Sequence, residues 1–197
     1  MSDNDSSDHA ILVLMRGLPG SGKSYIANSL PEIIGEEKVV MLDPDATNYE
    51  SKEYKDHTKQ LTEEGVDPNL HAYRFLRAKA YKGIRDHKII IWNQPFTNLE
   101  IFKQMIGRMQ DHASENDVKL VILIVEVETD PKIAKERVIK RKALGGHGPS
   151  DTTFSRFVND YVSFAHLGFS TVSVKGGADV NVSASIIVEA LNKLDIL

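Results

Sequence analysis

Cysteine is absent from the 197 residues of the chain. That excludes a disulfide framework, a thiolate nucleophile and any zinc site built on Cys ligands. Aromatic residues are sparse, at 7%, and no apolar run approaches the eighteen or so residues that a membrane span needs. An excess of basic charge is also missing: 24 Lys and Arg face 28 Asp and Glu, for a formal charge of −4. A general grip on duplex nucleic acid draws on many Lys and Arg contacts to phosphate. The balance here argues against such a grip, while local clusters could still bind one phosphorylated ligand. The start, MSDNDSSDH, is acidic and polar with no apolar h-region. It reads as a short disordered tail over residues 1–9 of a cytoplasmic protein with no membrane partner.

What is present is an ordinary globular composition, 41% hydrophobic and 26% charged, sufficient for one domain over residues 10–197. No Gly/Ser/Pro linker divides it and no internal repeat is found. Apolar β-rich runs alternate with helical patterns. Strands are expected at Ala10–Met15, Lys38–Leu42, Lys88–Trp92, Val118–Val127 and Thr171–Val174. Helices are expected from Lys23 to Leu30, where Pro31 should end the first one, from Leu99 to His112, from Pro131 to Lys142, from Thr152 to Phe164 and from Ser183 to Leu194. The polar stretch from Ala46 to Asp86 reads as mostly helical. Such alternation predicts an α/β three-layer fold, a five-stranded parallel sheet with right-handed crossovers and helices on both faces.

The residues that point to function follow the first strand. Gly17-Leu18-Pro19-Gly20-Ser21-Gly22-Lys23-Ser24 satisfies GxxxxGK[ST] between a strand and a helix, the context such a loop requires. Gly17, Gly20 and Gly22 let the backbone curl so that N–H groups, including that of Ser21, point at phosphate oxygens, and the helix N-terminus adds partial positive charge. The Lys23 ammonium can reach the β and γ phosphates, and the Ser24 hydroxyl can ligate Mg²⁺. The second strand ends in Asp43-Pro44-Asp45. In a parallel sheet the C-terminal strand ends border the ligand crevice, so a carboxylate there can accept the proton of an attacking hydroxyl. Asp45 is the better placed of the two.

Arg137 and Arg141 lie four apart, hence on one helical face, just before the flexible segment LGGHGPS. Two guanidiniums there suit a lid, over about residues 137–153, that closes on a polyphosphate. Lys132, Lys135, Lys140 and Lys142 read as a solvated face.

Taken together, GLPGSGKS after strand one, an Asp closing strand two and R-x-x-x-R leading into a mobile segment resemble the P-loop kinases of the zeta-toxin and polynucleotide-kinase group, in the adenylate-kinase-like branch. The resemblance implies a P-loop nucleoside-triphosphate hydrolase fold with strand order 2-3-1-4-5 and a helical lid. It implies that Asp45 is the catalytic aspartate, Lys23 the phosphate-loop lysine, and Arg137 with Arg141 the lid arginines, with ATP and Mg²⁺ as the bound groups. Two positions depart from the group. The third strand of such kinases usually ends in Asp, and here Asn93 and Gln94 follow Trp92. Polynucleotide kinases tend to carry a basic residue a turn after the strand-two Asp, and here that place is Asn48.

The expected function is transfer of the γ-phosphate of Mg-ATP to a hydroxyl of a small molecule or nucleotide-sugar, as in zeta-toxin-like kinases. A polynucleotide 5′-hydroxyl kinase is disfavoured by charge and by Asn48. A slow-ATPase or non-enzymatic regulatory module is the alternative from another class. A switch GTPase fits poorly, because neither NKxD nor a DxxG after the third strand is found. His71 and Arg74 are weaker candidates for acceptor contacts, Trp92 reads as core, and His147 reads as a solvent-exposed lid residue.

Overall fold

Apolar strands without alternation need cover on both faces, and the chain supplies it with helices on each side of one sheet. A computed structural model describes residues 9–194; the expected tail, apart from His9, lies outside them. The elements in order are β1 (His9–Arg16), α1 (Lys23–Ile34), β2 (Val39–Leu42), α2 (Lys52–Glu63), α3 (His71–Arg85), β3 (Ile89–Asn93), α4 (Leu99–Glu115), β4 (Lys119–Glu128), α5 (Pro131–Ala143), α6 (Asp151–Asp160), β5 (Ser170–Lys175) and α7 (Val180–Asn192). The sheet order is β2-β3-β1-β4-β5 with every pair parallel, which is the 2-3-1-4-5 order the resemblance implies.

The pleat of β1 divides the core. Ile11, Val13 and Met15 face α1 and α7, packing with Ile26, Leu30, Ala184 and Ile187. Leu12 and Leu14 face α3 and α4, packing with Phe75, Ile84, Phe102 and Met109. A third cluster joins Leu18 of the phosphate loop to Ala134, Val138 and Phe154, so α5 and α6 are tied to that loop by apolar contact. No helix among the described residues is long and apolar enough to cross a membrane.

Two helix ends differ from expectation. Pro31 does not end α1, which runs on to Ile34 and closes at Gly35, whose N–H bonds the Pro31 carbonyl at 2.8 Å. Pro31 gives up only its own N–H bond, and the added turn lets Ile34 pack on the core. Helix α6 stops at Asp160, short of Phe164. The backbone beyond it is taken by a buried ion pair: the Arg16 guanidinium donates to the Val162 carbonyl at 2.8 Å, and the Glu126 carboxylate accepts from the Phe164 N–H at 2.7 Å.

Register brings the functional strand ends together. Met15 pairs with Asn93 and Leu42 with Trp92, so Gly17, Asp43 and Asn93 emerge side by side at one edge of the sheet.

Candidate active site

The loop between β1 and α1 can be built only with small residues at its tightest points. At Gly20, with φ of +82°, a Cβ would stand 2.2 Å from the Ala134 carbonyl oxygen of α5. At Gly22, with φ of +98°, it would meet the Gly176 carbonyl oxygen at 2.8 Å. Both positions require positive φ and close backbone approach, which glycine alone provides cheaply. Gly17 begins the loop against Val127. The Ser21 side chain is fully buried, and its carbonyl accepts from the Thr129 hydroxyl at 2.9 Å. The Ser21 N–H departs from the expectation, since it closes a turn onto the Leu18 carbonyl at 3.0 Å. Gly22 is the N-cap of α1 and gives no side-chain cap. The N–H groups of Lys23 and Ser24, first in the helix, are therefore the donors aimed at an anion.

Lys23, Ser24, Asp43, Asp45, Asn93, Arg137 and Arg141 all line one cavity of about 510 Å³. The Lys23 ammonium donates to the Leu18 carbonyl at 3.5 Å. Burial pushes its pKa down from 10.5 to about 8, against the pull of Asp45 and Asp43, and Arg141 adds to the lowering. A cation held this way gains most when phosphate arrives.

Asn93 links the metal-side groups. Its carboxamide N–H₂ donates to the Ser24 hydroxyl at 2.9 Å and to the Asp43 carboxylate, while its Oδ1 is buried with no partner. A hydroxyl, a carboxylate and an orphaned amide oxygen form a hard-oxygen donor set, the chemistry Mg²⁺ takes. The residues therefore fit that ion. Among the described residues no group of three or more His, Asp or Glu side chains could hold a metal by itself. Such a set needs phosphate oxygens and water to complete it, as Mg²⁺ commonly does in nucleotide sites.

Asp45 stands across the cavity with its side chain 69% exposed, 3.5 Å from the equally exposed His147. The other strand-two carboxylate is fixed differently: Asp43 Oδ1 accepts from the Asp45 N–H at 2.8 Å, an Asx turn that positions Asp45. Arg137 donates to the carbonyls of Gly20 at 3.4 Å and Gly176 at 3.0 Å, bracing the phosphate loop against the turn after β5. Arg141 has one edge in the cavity, close enough to Lys23 to act on its charge.

Two sequence candidates fall elsewhere. His71 is buried and its Nε2 lies 3.0 Å from the Val66 carbonyl, holding the turn into α3. Neither it nor Arg74 lines the cavity. Conversely, His147, Gln94, Pro95 and Phe157 do. Their signal in sequence was only position: Gln94 and Pro95 just after a strand end, His147 within the lid, and Phe157 on the helix that follows it.

A phosphate loop after β1, the 2-3-1-4-5 order and carboxylate and amide groups at the ends of β2 and β3 define the P-loop kinase fold. Within it, the chain belongs to the AAA_33 family, an AAA domain, which matches residues 12–158. It is similar to human NEDD4-binding protein 2, with 31% identity over 156 residues, or 78% of this chain. The chain spans about 8% of the length of that relative. Among solved structures, a kinase-like protein of Chloroflexus aurantiacus j-10-fl matches with a TM-score of 0.65 and 14% identity, over 94% of this chain and 100% of that one. The PezAT chromosomal toxin-antitoxin system of Streptococcus pneumoniae matches at 0.58 and 12% identity, over 97% and 88%. At these identities the likeness is one of fold, and it bears out the resemblance to the P-loop kinases.

Proposed function

We propose that the chain is a phosphotransferase that moves the γ-phosphate of ATP to a hydroxyl of a small molecule or nucleotide-sugar. The observation that carries this reading is the convergence of Lys23, Asp45, Arg141 and the Ser24–Asn93–Asp43 cluster on one cavity. Asp45, exposed in the cavity beside His147, orients the acceptor hydroxyl and takes its proton as the new O–P bond forms and the bond to the departing ADP oxygen breaks. Lys23 and the first N–H groups of α1 hold the phosphates, and Arg141 neutralises charge that grows during transfer. Ser24, Asp43 and Asn93 would hold Mg²⁺ directly or through water, where it supplies charge neutralisation on the phosphate oxygens. The cavity beside Thr129, Ile133, Arg137 and Gly177 is the place for the donor's base, on the side of the loop away from Asp45. Residues 137–153 act as the lid.

The test is transfer of labelled phosphate from ATP to sugars, nucleotide sugars, nucleosides and 5′-hydroxyl oligonucleotides. Asp45→Asn should keep nucleotide affinity within a few-fold but lower transfer by about a hundredfold or more. Slow ATP hydrolysis with no acceptor, unchanged in that variant, would instead indicate a regulatory ATPase.

A further inference from the structure

The link between α5 and α6, residues 144–149, is anchored at both ends. Ala134 and Val138 of α5 and Phe154 of α6 pack together on Leu18 of the phosphate loop, and the Lys135 ammonium pairs with the Asp151 carboxylate at 3.7 Å. Between those anchors the chain is pressed against α5. The Gly146 N–H bonds the Arg141 carbonyl at 3.0 Å. A Cβ at Gly146 would stand 3.0 Å from that carbonyl oxygen and 2.7 Å from Arg141 Cγ, and one at Gly148 would stand 2.9 Å from Val138 Cγ1. Glycine at both positions lets the backbone lie close on the helix. His147, between them, is the side chain that turns into the cavity.

Its Nε2 stands 3.5 Å from Asp45 Oδ2, so the contact joins the lid to the segment after β2 across the cavity. The two carboxylates of that segment differ here. Asp43 is fixed, by the Asn93 carboxamide and by the Asp45 N–H. The Asp45 carboxylate has no hydrogen bond among the described residues, and its ionic contact there is with His147. Lys23 and Arg141 line the same cavity, but both are drawn to phosphate during transfer. A carboxylate left to rotate loses part of its value as a base, because the proton must be met in one geometry. An imidazole N–H on Oδ2 removes that freedom and leaves Oδ1 for the acceptor hydroxyl. The separation exceeds a hydrogen bond by about 0.5 Å, and bonds of this kind tighten as the reacting complex forms.

We propose that His147 is a positioning residue for Asp45: with the lid down, its Nε2–H donates to Asp45 Oδ2 and aims the carboxylate at the acceptor hydroxyl. The lid thereby completes the acceptor side of the site as well as the phosphate side. This role rests on the kinase reading above, while the contact itself does not.

The contact is read without turnover in the full chain carrying ¹⁵N-labelled histidine. The His147 ring signals are identified by their loss in His147→Gln. Asp45→Asn should shift them, while those of His112, which lies against Tyr81 and Arg85, stay in place. Unmoved His147 signals overturn the proposal whatever the activity. The second readout is transfer from labelled ATP to the acceptor found in the screen. His147→Ala should lower kcat about tenfold, with KM for ATP and for the acceptor changed less than about twofold, since an orienting group acts on the rate rather than on binding. His147→Gln, whose amide N–H₂ reaches the place of Nε2, should restore most of that rate. Placed on Asp45→Asn, His147→Ala should cost nothing further. The same loss on that background, or no loss in the wild-type protein, overturns the positioning role and leaves the kinase standing. Shifted ring signals with no transfer to any acceptor overturn the kinase reading and the positioning role with it.

Discussion

The Asn93 carboxamide donates to the Asp43 carboxylate at the ends of two neighbouring strands, and the same nitrogen serves the Ser24 hydroxyl. One neutral amide thus holds two metal-side oxygens in place without a second negative charge. Asn93→Asp replaces the N–H···O⁻ bond by two facing carboxylates. The metal-free variant should lose about 1–3 kcal/mol at neutral pH. One carboxyl of such a pair has a raised pKa in the folded state, so the loss is full above that pKa and is relieved as pH falls. Mg²⁺ should relieve it as well. Thermal unfolding of both forms at neutral and acidic pH, with and without Mg²⁺, checks this; a variant whose melting ignores both would mean the two groups do not interact.

Lys23 is held at a cost to stability that nucleotide binding offsets. Burial lowers its pKa from 10.5 to about 8. Between those values the folded protein has released a proton that the unfolded chain keeps, so stability should rise with pH across that window. Lys23→Met, which keeps the stem and removes the charge, should be more stable at pH 7 by on the order of 2 kcal/mol and lack that rise. ATP affinity of the wild-type protein should weaken above about pH 8 as the free lysine deprotonates, and that of Lys23→Met should be low throughout. Denaturant unfolding and calorimetry across pH 6–10 measure both.

How far the sequence could be read follows from the range over which each feature is determined. The phosphate loop is local: its glycines, Lys23 and Ser24 lie within one strand-loop-helix unit, and the structure places them as the spacing predicts. Strand existence was equally local, since each apolar run is short and bounded. The Ser24–Asn93–Asp43 cluster was not legible, because it depends on which strands are neighbours and in what register. His71 looked like an acceptor contact only because a turn from Val66 that buries it against a carbonyl leaves no periodic signal. The early stop of α6 had its cause in Arg16 and Glu126, 110 residues apart, which only the β1–β4 pairing brings together.

The two arginines of α5 should separate in their effects. Arg137 donates to the Gly20 carbonyl within the phosphate loop and to the Gly176 carbonyl in the turn after β5, so it supports the loop in the free protein. Arg137→Ala should weaken ATP binding and turnover together. Arg141 has no such backbone bond among the described residues and lines the cavity. Arg141→Ala should lower kcat by about tenfold or more with ATP affinity changed far less, because a guanidinium that engages the growing charge of transfer raises the rate selectively. Equal losses in kcat and affinity for Arg141→Ala would make it a binding residue only.

The buried pair of Arg16 and Glu126 should be the most sensitive position outside the cavity. Arg16 is fully buried, stacks on the Phe164 ring at 3.6 Å and the Tyr161 ring at 4.5 Å, and bonds the carbonyls of Val162 and Phe96. Glu126 accepts both from Arg16 and from the Phe164 N–H. Removing either partner leaves an uncompensated buried charge, so Arg16→Met and Glu126→Met should each cost about 3–5 kcal/mol. The double variant Arg16→Met with Glu126→Met removes both charges and should recover part of that loss. Recovery should stay incomplete, because the Val162 carbonyl and the Phe164 N–H then lose their partners. A double-mutant cycle by denaturant unfolding gives the coupling. Simple additivity of the two single losses would show that the pair does not act as a unit.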